Sequence, residues 1–596
     1  MQLSATYSQT WDLENIFSGG SESSTLVQHL EKLEHELPLL KKYIETLEPT
    51  ASLASWVDAI QPLQKLGSGL VEARSFLDCL ESQNVKDEKA KVLSGKLTQI
   101  GATYEAVITA LESKVAQVPE SDWQQLMKSP ELNQVSFSLN EMRKRSLEKL
   151  PPAQEELAGD LSVDGYHAWS EMYSTIVGRM QVPFEEGGET KLLSVGQLAN
   201  KMASPDREVR QRVFEKWEEA WRNEADLCAV TINHLAGYRL QLYKRRQWEN
   251  VLKEPLDLNR MEGQTLQTMW DVVAKNKHRL LPYMKRKAEM LGVDQLSWHD
   301  VQAPLPGNKQ TLSYDEAAKF IIEQFKRFSP DMASFAQMAF EKRWIEAEDR
   351  PGKRPGGFMT DFPISGESRI FMTFSGTPSC VSTLAHELGH AYHTYVMKDL
   401  PFLAQQYAMN VAETASTFAE VIVIDAAIKQ ATSKEEKMAL LADKIQSTIA
   451  FLMDIHSRFL FETRFYEARK QGPLTRDELC GLMVEAQKEG FADMLAEYHP
   501  HFWASKLHFY ATDMPFYNFP YTFGYLFSAG IYARALQEGA GFATKYVNLL
   551  RDTASMTVEE LGKRHLGVDL TQPDFWQDAM DLLMADVDEF LALTEA

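Results

Sequence analysis

The chain has 596 residues, of which 44% are hydrophobic and 24% charged, and its formal net charge is −22 at pH 7. This composition is typical of a soluble globular protein large enough to form two or more structural units. A strongly acidic chain is a poor partner for nucleic acid, because phosphate binding needs a basic face. The four cysteines are widely spaced and form no C-x-x-C pair, which excludes a cysteine-rich zinc site and indicates a reducing compartment.

The sequence also argues against a membrane protein. The longest aliphatic segment, residues 421–428, is interrupted by Asp425 and is far shorter than the ~18 residues needed to span a bilayer. The N-terminus carries Asp12 and Glu14 and lacks the basic-then-apolar pattern of a signal peptide. We therefore expect a cytoplasmic protein with neither membrane nor nucleic acid as a partner.

Helical patterns dominate the N-terminal part of the chain. Residues 26–150 carry charged, leucine-rich helical periodicity with few helix breakers, which predicts an antiparallel helical layer. Pro151-Pro152 and Asp164-Gly165 then interrupt the pattern, and residues 183–188, flanked by apolar residues, predict a small hairpin. We place a domain boundary after this region, with an N-terminal helical domain of residues 1–190 and a second domain of residues 191–596.

Helices resume near residue 204, where Ser204-Pro205 predicts an N-cap followed by proline at the first helical position. Further on, Ser or Thr three residues before Glu predicts four capping boxes, at Ser313…Glu316, Ser433…Glu436, Thr475…Glu478 and Thr557…Glu560. An irregular segment, residues 350–366, precedes an apolar, β-branched and aromatic stretch, residues 369–374, which predicts a strand. Strand candidates are few, so the predicted fold class is mainly α with a small β-sheet.

The segment after this strand is helical and carries His386-Glu387-Leu388-Gly389-His390. Two imidazoles four residues apart lie about 40° apart around the helix axis and one turn apart along it, so both can reach one ion. The Glu387 carboxylate lies to the flank, where it can take a proton from a metal-bound water. Because so short a pattern arises by chance in roughly 3% of chains of this size, it needs its strand–helix context. The alternative is that both histidines only pack against neighbours.

The predicted strand and a third histidine add to this picture. An edge strand beside the metal can bind a peptide by strand addition. His393 shares the helix face, but its Cα lies about 10 Å along the axis from that of His386. One zinc, with bonds to nitrogen of about 2.1 Å, does not reach both ends of that span. We therefore predict that His393 supports the metal ligands or contacts substrate.

A catalytic zinc needs a third protein ligand. The next helical segment, residues 410–424, offers Glu413 and Glu420 after a break that allows an antiparallel return. Small residues flank Glu413 and permit close helix approach, which favours Glu413 as the ligand. Glu420, seven residues on along the same face, is the competitor and is predicted to orient an imidazole. The alternative is that both glutamates are solvated on a surface face.

These segments carry a family resemblance. The strings from His386 to His393 and from Ala412 to Glu420, together with residues 10–17 and 508–527, resemble the oligoendopeptidase F group of the thimet-oligopeptidase-like zinc metallopeptidases. The resemblance implies one Zn²⁺ per chain, held by His386, His390 and Glu413, and short peptides as substrates. It also implies two largely helical halves around a deep substrate channel, and it makes residues 191–596 the zinc metallopeptidase catalytic domain.

Residues 508–527 are unusually rich in tyrosine for a core helix, since each buried hydroxyl requires a partner. Peptide hydrolysis needs hydrogen-bond donors where the oxyanion develops. The resembled group uses a histidine and tyrosines from this region for that purpose and to hold substrate. Carried over, His508 and Tyr521 are the catalytic candidates and Tyr517 and Tyr525 contact substrate. For any single tyrosine, the alternative is an aromatic core with its hydroxyl at the rim.

Together these features predict a zinc-dependent endopeptidase that hydrolyses internal bonds of short oligopeptides, with Glu387 as the general base for a zinc-activated water. One alternative is a zinc carboxypeptidase, which would recognise the terminal carboxylate through a residue such as Arg354 or Arg369. A second alternative is a non-enzymatic helical scaffold whose metal is structural or absent. Glu387 weighs against the scaffold, because a structural site has no use for a base beside an open ligand position.

Overall fold

The computed structural model describes residues 6–305 and 311–595, and most of these residues are helical. The α-helices are α1 (Ser24–Glu45), α2 (Leu53–Gln83), α3 (Glu88–Gln117), α4 (Glu120–Met127), α5 (Ser136–Glu148), α6 (Pro152–Ser162), α7 (Ala168–Arg179), α8 (Val195–Asn200), α9 (Arg207–Arg245), α10 (Lys253–Leu258), α11 (Gly263–Asn276), α12 (Leu281–Met290), α13 (Tyr314–Phe328), α14 (Pro330–Glu341), α15 (Pro378–Met397), α16 (Met409–Gln430), α17 (Lys434–Ile449), α18 (Ile455–Arg469), α19 (Arg476–Gly490), α20 (Phe502–Ser505), α21 (Phe519–Glu538), α22 (Phe542–Asp552), α23 (Val558–Leu561) and α24 (Asp574–Thr594). Among the described residues, no helix is both long enough and apolar enough to cross a membrane.

Two small sheets complete the secondary structure. The strands are β1 (Gln181–Glu186), β2 (Glu189–Ser194), β3 (Ile345–Glu346), β4 (Phe358–Phe362) and β5 (Glu367–Phe371). β1 and β2 form an antiparallel hairpin. The other sheet has the order β3-β5-β4, in which β5 pairs parallel with β3 and antiparallel with β4.

The chain folds into two compact units, each assembled from three segments. Unit 1 contains Met1–Lys149, Gln310–Ala426 and Arg534–Gly567, and unit 2 contains Leu150–Lys309, Ala427–Ala533 and Val568–Ala596. The domain boundary predicted between residues 190 and 191 falls inside β2, within unit 2. Because the chain returns to earlier layers of helices, residues close in sequence can belong to different units. A boundary drawn along the sequence therefore need not coincide with units defined by contacts in space.

Unit 1 has a continuous core that joins its N-terminal helices to the three-stranded sheet. Buried leucines and aromatics of α1 to α5 form this core together with Phe362 of β4 and Phe371 of β5. Phe358 stacks on Phe371. The Thr360 hydroxyl donates a hydrogen bond of 2.7 Å to the Ser75 hydroxyl of α2. One face of the sheet is therefore occupied by α2. Side chains alternate along a strand, so Met359 and Asp361 of β4 point to the opposite face.

The second unit is organised around α9, a helix of 39 residues. Its inner face is lined by buried Trp221, Ile232 and Leu235, and α7, α18, α19 and α20 pack against it. Buried Arg239 of this helix donates to the hydroxyl groups of Tyr166 and Tyr466. Because a guanidinium buried without acceptors would be costly, these hydroxyls are what allow it to lie in the core.

Several sequence predictions are confirmed. The fold class is mainly α, with a small sheet packed beside α15, and residues 26–150 form the helices α1 to α5. The hairpin predicted around residues 183–188 is β1-β2. All four predicted Ser or Thr residues cap their helices. At Ser433 the reciprocal half of the box is absent, because the Glu436 carboxylate instead accepts from Thr432.

Four local predictions are wrong in whole or in part. The N-cap predicted at Ser204 is at Asp206, whose side chain accepts from the Glu208 amide. The interruption predicted over residues 151–165 is mostly helical, because Pro152 occupies the first turn of α6, where a proline costs no hydrogen bond. The strand predicted at residues 369–374 is β5, the central strand of its sheet rather than an edge, and β4 lies within the segment predicted to be irregular.

Candidate metal centre

The metal candidates lie on two helices of unit 1, α15 and α16. Thr377 caps α15 by accepting from the Cys380 amide, and Pro378 occupies the first turn, so the helix begins at a defined residue after β5. Residues 398–408 reverse the chain before α16 starts at Met409. This turn brings the glutamates of α16 to the histidines of α15, as the sequence analysis expects.

Three potential ligand atoms converge between these helices. The Nε2 atoms of His386 and His390 lie 3.2 and 3.4 Å from the same oxygen, Glu413 Oε2. One ligand atom from each residue lies within 4.8 Å of the others. The two imidazole rings are nearly perpendicular, with centroids 4.9 Å apart. The structure therefore brings together the three residues predicted to bind zinc.

The carboxylates of α16 are held in place by their own hydrogen bonds. Ser416 donates to Glu413 Oε2 at 2.7 Å. Glu420 Oε2 lies 3.1 Å from His386 Nδ1, where the sequence analysis places an orienting carboxylate. With its Nδ1 hydrogen committed to Glu420, His386 directs Nε2 towards the centre, and loss of the Nε2 proton would make that nitrogen a ligand. The sequence analysis missed the contribution of Ser416, although its spacing of three residues from Glu413 on one helix is a usable signal.

Close contact between the two helices depends on Gly389. A Cβ at this position would lie 2.5 Å from the carbonyl oxygen of Ala415 and 2.6 Å from the Cα of Ser416. These distances leave no space for any side chain. Close packing of the two helices thus depends on small residues on both: those around Glu413 on α16, and Gly389 between the two histidines on α15.

The electrostatics of the centre suit a cation. Burial opposes ionisation of Glu413, but hydrogen bonds from the two imidazoles hold its pKa far below its ordinary value. Burial also opposes protonation of His386, yet hydrogen bonds to Glu413 and Glu420 raise its pKa to about 10. The imidazoles and carboxylates thus stabilise one another's charge, and the carboxylates are available as anionic ligands. Two nitrogens and one carboxylate oxygen are a donor set that catalytic zinc sites use, so these residues fit the ion.

Glu387 lies beside the centre and is buried. Its side chain is 7% exposed, and burial raises its pKa, an effect that His390 and His386 partly offset. Gly357, which leads into β4, comes close to it: a Cβ at residue 357 would lie 3.7 Å from Glu387 Oε1. The sequence analysis did not single out Gly357, and the Gly356-Gly357 pair in an otherwise irregular segment is the signal that could have found it.

His393 has a different role from the substrate contact predicted for it. It is fully buried in unit 1, where its Nε2 lies 2.9 Å from Thr553 Oγ1 and 3.2 Å from the carbonyl oxygen of Leu550. Its ring stacks on Tyr407 with centroids 4.3 Å apart, and burial lowers its pKa to about 3. His393 is a neutral residue that ties α15 to the end of α22, so the prediction of direct substrate contact is corrected.

Unit 2 gathers three of the aromatic candidates into one cluster. The ring of His508 lies 5.0 Å from that of Tyr517 and 6.1 Å from that of Tyr521. The two tyrosine rings are perpendicular and 5.7 Å apart. All three side chains are partly exposed. Burial, reinforced by the positive charges of Arg458 and Lys506, lowers the pKa of His508 to about 4, so its imidazole is neutral at pH 7.

Tyr525 is separate from this cluster. It is 7% exposed, stacks on Phe451 at 4.5 Å and shares a buried hydrogen bond of 2.8 Å with Thr448 Oγ1. Such packing is that of a core tyrosine whose hydroxyl has found a partner. The prediction that Tyr525 contacts substrate is therefore corrected too: Tyr521, in the first turn of α21, is partly exposed, whereas Tyr525, one turn further along the same face, is buried.

The structure also bears on the carboxypeptidase alternative. Arg369 is fully buried and donates to the carbonyl oxygens of Asp12 and Ser368 and to the side chain of Asn15. These acceptors occupy its guanidinium, so Arg369 is not available to a substrate carboxylate. Arg354, the other residue named for that role, is exposed.

Paired histidines and a glutamate on two helices, with a second glutamate beside them and a small sheet at their side, are the arrangement of a metallopeptidase. Comparison with known families agrees. The chain belongs to Peptidase family M3, whose family model matches residues 201–582. A second family model, Oligopeptidase F, matches residues 114–181. The chain is therefore a metallo-oligopeptidase.

Relatives and solved structures support this assignment. The chain is 21% identical to Oligopeptidase PepF of Bacillus subtilis over 97% of its own length and 86% of that protein. It is 25% identical to Group B oligopeptidase PepB of Streptococcus agalactiae, covering 83% of this chain and 82% of the relative. The structure of oligoendopeptidase-F from Enterococcus faecium has the same fold, with a TM-score of 0.70 at 18% identity over 96% of this chain and 99% of the other.

Proposed function

We propose that this metallo-oligopeptidase is a zinc-dependent endopeptidase acting on short peptides. The observation that carries the proposal is the convergence of His386 Nε2, His390 Nε2 and Glu413 Oε2, with Glu387 alongside. Three protein ligands leave a position for water, as a catalytic site requires and a closed structural site does not. When bound there, zinc would acidify a water molecule and polarise the scissile carbonyl.

Glu387 is the general base in this proposal. Its carboxylate accepts a proton from the attacking water and then delivers it to the leaving amine. Burial favours this dual role, because it raises the pKa of the carboxyl towards the working pH and makes the proton easier to hold between the two steps. Removal of one general base typically costs about 10²–10⁴ in rate.

β4 is the proposed binding strand for the peptide backbone. In the described sheet it pairs with β5 on one side only, and it begins next to Gly357, beside Glu387. Strand addition at that edge would supply main-chain hydrogen bonds that are independent of the substrate's sequence. This assignment moves the predicted strand addition from β5, which is central, to its neighbour.

His508 and Tyr521 are the proposed donors to the oxyanion, with Tyr517 as a substrate contact. A neutral imidazole donates through one nitrogen, and the low pKa of His508 keeps it in that form. Loss of one such donor costs about 2.7–4 kcal/mol of transition-state stabilisation. Residues 191–596 would be the catalytic domain, and the free cysteines suit a cytoplasmic location.

Replacement of Glu387 by Gln tests the proposal. The variant should bind zinc in the same stoichiometry as wild type, measured by metal analysis, and should lose peptidase activity by about 10²–10⁴. The matched control is Glu323→Gln, an exposed α13 carboxylate that pairs with Arg327 at 2.8 Å. Near-normal turnover in Glu387→Gln would exclude its role as the base.

The carboxypeptidase alternative is separated by mapping cleavage sites. Mass spectrometry of products from C-terminally amidated peptides should show cuts at internal bonds. Release of single C-terminal residues, together with complete resistance of amidated peptides, would establish the alternative. Absence of zinc from carefully purified, inactive protein would favour the scaffold.

A further inference from the structure

Lys506 in unit 2 is a cation that forms no ion pair or hydrogen bond with any residue the structure describes. It follows α20 and precedes His508 by two residues, and its Nζ lies 4.9 Å from the centre of the Phe502 ring. Throughout residues 6–305 and 311–595, no side-chain or backbone acceptor forms a hydrogen bond or an ion pair with this ammonium group. The face of the Phe502 ring is the aromatic contact of this ammonium group, and Asp454 attracts it without forming an ion pair.

The one carboxylate that attracts Lys506, Asp454, is already paired with another cation. Arg458 contacts the same Phe502 ring at 5.2 Å, but its guanidinium pairs with Asp454 and donates to Asn518 Oδ1 at 3.3 Å. Asp454 is the nearby carboxylate, and Arg458 engages it directly. One positive charge, that of Lys506, is left over in this group of three.

Desolvation makes this arrangement expensive. Burial and repulsion by Arg458, partly offset by Asp454, lower the pKa of Lys506 to about 8, so the amine is still largely protonated at pH 7. A partly buried ammonium group that lacks an acceptor costs free energy, which a bound anion would offset. The chain as a whole carries a net charge of −22, so an anionic ligand would need such a local cation to approach.

The other groups around Lys506 are an imidazole and apolar surface. His508 Nδ1 is buried and has no hydrogen-bond partner in the described part of the chain. Tyr517 packs against that imidazole, and the Leu507 side chain is 57% exposed. With Asp454 engaged by Arg458, the Lys506 ammonium group favours a ligand that supplies an acceptor oxygen beside an apolar group. The end of a peptide, or an acidic side chain within it, has this character.

We propose that Lys506 binds a carboxylate group of the peptide substrate. This inference rests on the proposed function, in which the aromatic cluster of His508, Tyr517 and Tyr521 contacts the peptide. The carboxylate belongs either to the free C-terminus or to an aspartate or glutamate side chain. In both cases the contact selects among peptides by charge and leaves the bond-breaking step to other residues, so Lys506 is a specificity residue.

Peptide binding to zinc-loaded Glu387→Gln protein tests this inference without turnover. Calorimetry compares a short peptide that has a free C-terminus with its C-terminal amide. A second pair of amidated peptides differs by Glu or Gln at one internal position. A charge-assisted contact should favour the carboxylate-bearing member of one pair by about tenfold. The pair that shows the preference identifies the source of the carboxylate.

The same comparison in Lys506 variants assigns the contact. Lys506→Met should reduce the affinity ratio to about one, and Lys506→Arg should retain most of it. Lys506→Gln replaces the methionine variant if the latter does not fold. The matched control is Lys216→Met, because this surface lysine is already paired with Glu219 at 2.8 Å. The inference would be overturned if protein with Lys506 intact bound the two members of each peptide pair equally, or if the affinity ratio persisted in Lys506→Met.

Failure of the proposed function would look different. If zinc-loaded wild-type protein cleaved none of the four peptides while the affinity ratio and its loss in Lys506→Met were observed, the endopeptidase proposal would fail and the carboxylate site would stand. Internal cleavage of the peptides, with equal affinities within each pair, would support the endopeptidase proposal and exclude the carboxylate site.

Discussion

His386 lies between two carboxylates of a single helix. Its Nδ1 is 3.1 Å from Glu420 Oε2, and its Nε2 is 3.2 Å from Glu413 Oε2. The two glutamates are seven residues apart on α16, about two helical turns, so one imidazole spans the distance between them. The ring cannot rotate without losing both contacts, which fixes its direction before any ion binds.

Glu420 should therefore set the affinity of the centre without binding the ion. Glu420→Gln is expected to weaken zinc binding by about 10–100-fold, because the amide orients the imidazole less firmly and stabilises its charge less. Competition with a chelator of known affinity measures the change. Glu341→Gln, an exposed carboxylate on α14, is the control. Unchanged affinity in Glu420→Gln would show that the contact with His386 is incidental.

Gly389→Ala should disrupt the centre through packing alone. The added methyl group would lie 2.5 Å from the backbone oxygen of Ala415, so α15 and α16 must separate. We expect a loss of stability of about 1–3 kcal/mol, typical of overpacking, and a marked loss of zinc affinity. Thermal unfolding with metal analysis measures both.

The control for this substitution is Gly95→Ala. Gly95 lies within α3, and a Cβ there would meet nothing within 4 Å. That substitution should be neutral or stabilise the protein by up to about 1 kcal/mol, since alanine is the better helix former. If Gly389→Ala bound zinc as tightly as wild type, the close approach of the two helices would not be needed for the centre.

A buried charge group in unit 2 makes stability depend on pH. The Glu218 carboxylate accepts from both His499 and His501. Burial opposes its ionisation, but these hydrogen bonds lower its pKa to about 2 from 4.5. Burial likewise opposes protonation of His501, yet contacts with Cys480 and Glu218 raise its pKa to about 9 from 6.5.

The signs of these shifts define a window. The contribution of Glu218 is complete above about pH 4.5 and is lost as the pH falls towards 2, while that of His501 is complete below about pH 6.5 and is lost as the pH rises towards 9. Glu218→Gln should cost about 3–5 kcal/mol between these limits, and less outside them. Denaturation midpoints across pH measure this, with Glu215→Gln as the exposed control on α9. A difference from wild type that is constant across pH would contradict the assignment.

Local sequence patterns predicted that the three candidate ligands lie together because the relevant geometry is helical. The spacing of His386 and His390 places both on one face of a helix regardless of the rest of the fold. Glu413 required only a chain reversal and small neighbours, both visible in the sequence. The helix caps at Ser313 and Thr475 followed from the same short-range rules.

The predictions that failed depend on long-range contacts. His393 lies on the predicted face, but its burial is decided by Thr553 and Leu550, some 160 residues further along the chain. The position of β5 inside its sheet depends on β3 and β4, which were too short or too irregular to recognise. The lack of an ion-pair partner for Lys506 among the described residues is likewise a property of the folded surroundings that no sequence spacing reveals.

Variants of Tyr521 and Tyr525 test which tyrosine belongs to the active site and which to the core. The Tyr525 hydroxyl shares a buried 2.8 Å hydrogen bond with Thr448, so Tyr525→Phe should lower stability by about 1 kcal/mol and change kcat/KM little. Tyr521 is partly exposed beside His508, and Tyr521→Phe should lower kcat by about 10²–10³ with a small change in melting temperature. Steady-state kinetics and thermal unfolding of both variants distinguish the roles. If instead Tyr525→Phe were the slow enzyme and Tyr521→Phe the less stable one, the oxyanion donor would have to be reassigned to Tyr525, and the aromatic cluster around His508 would lose its place in the reaction.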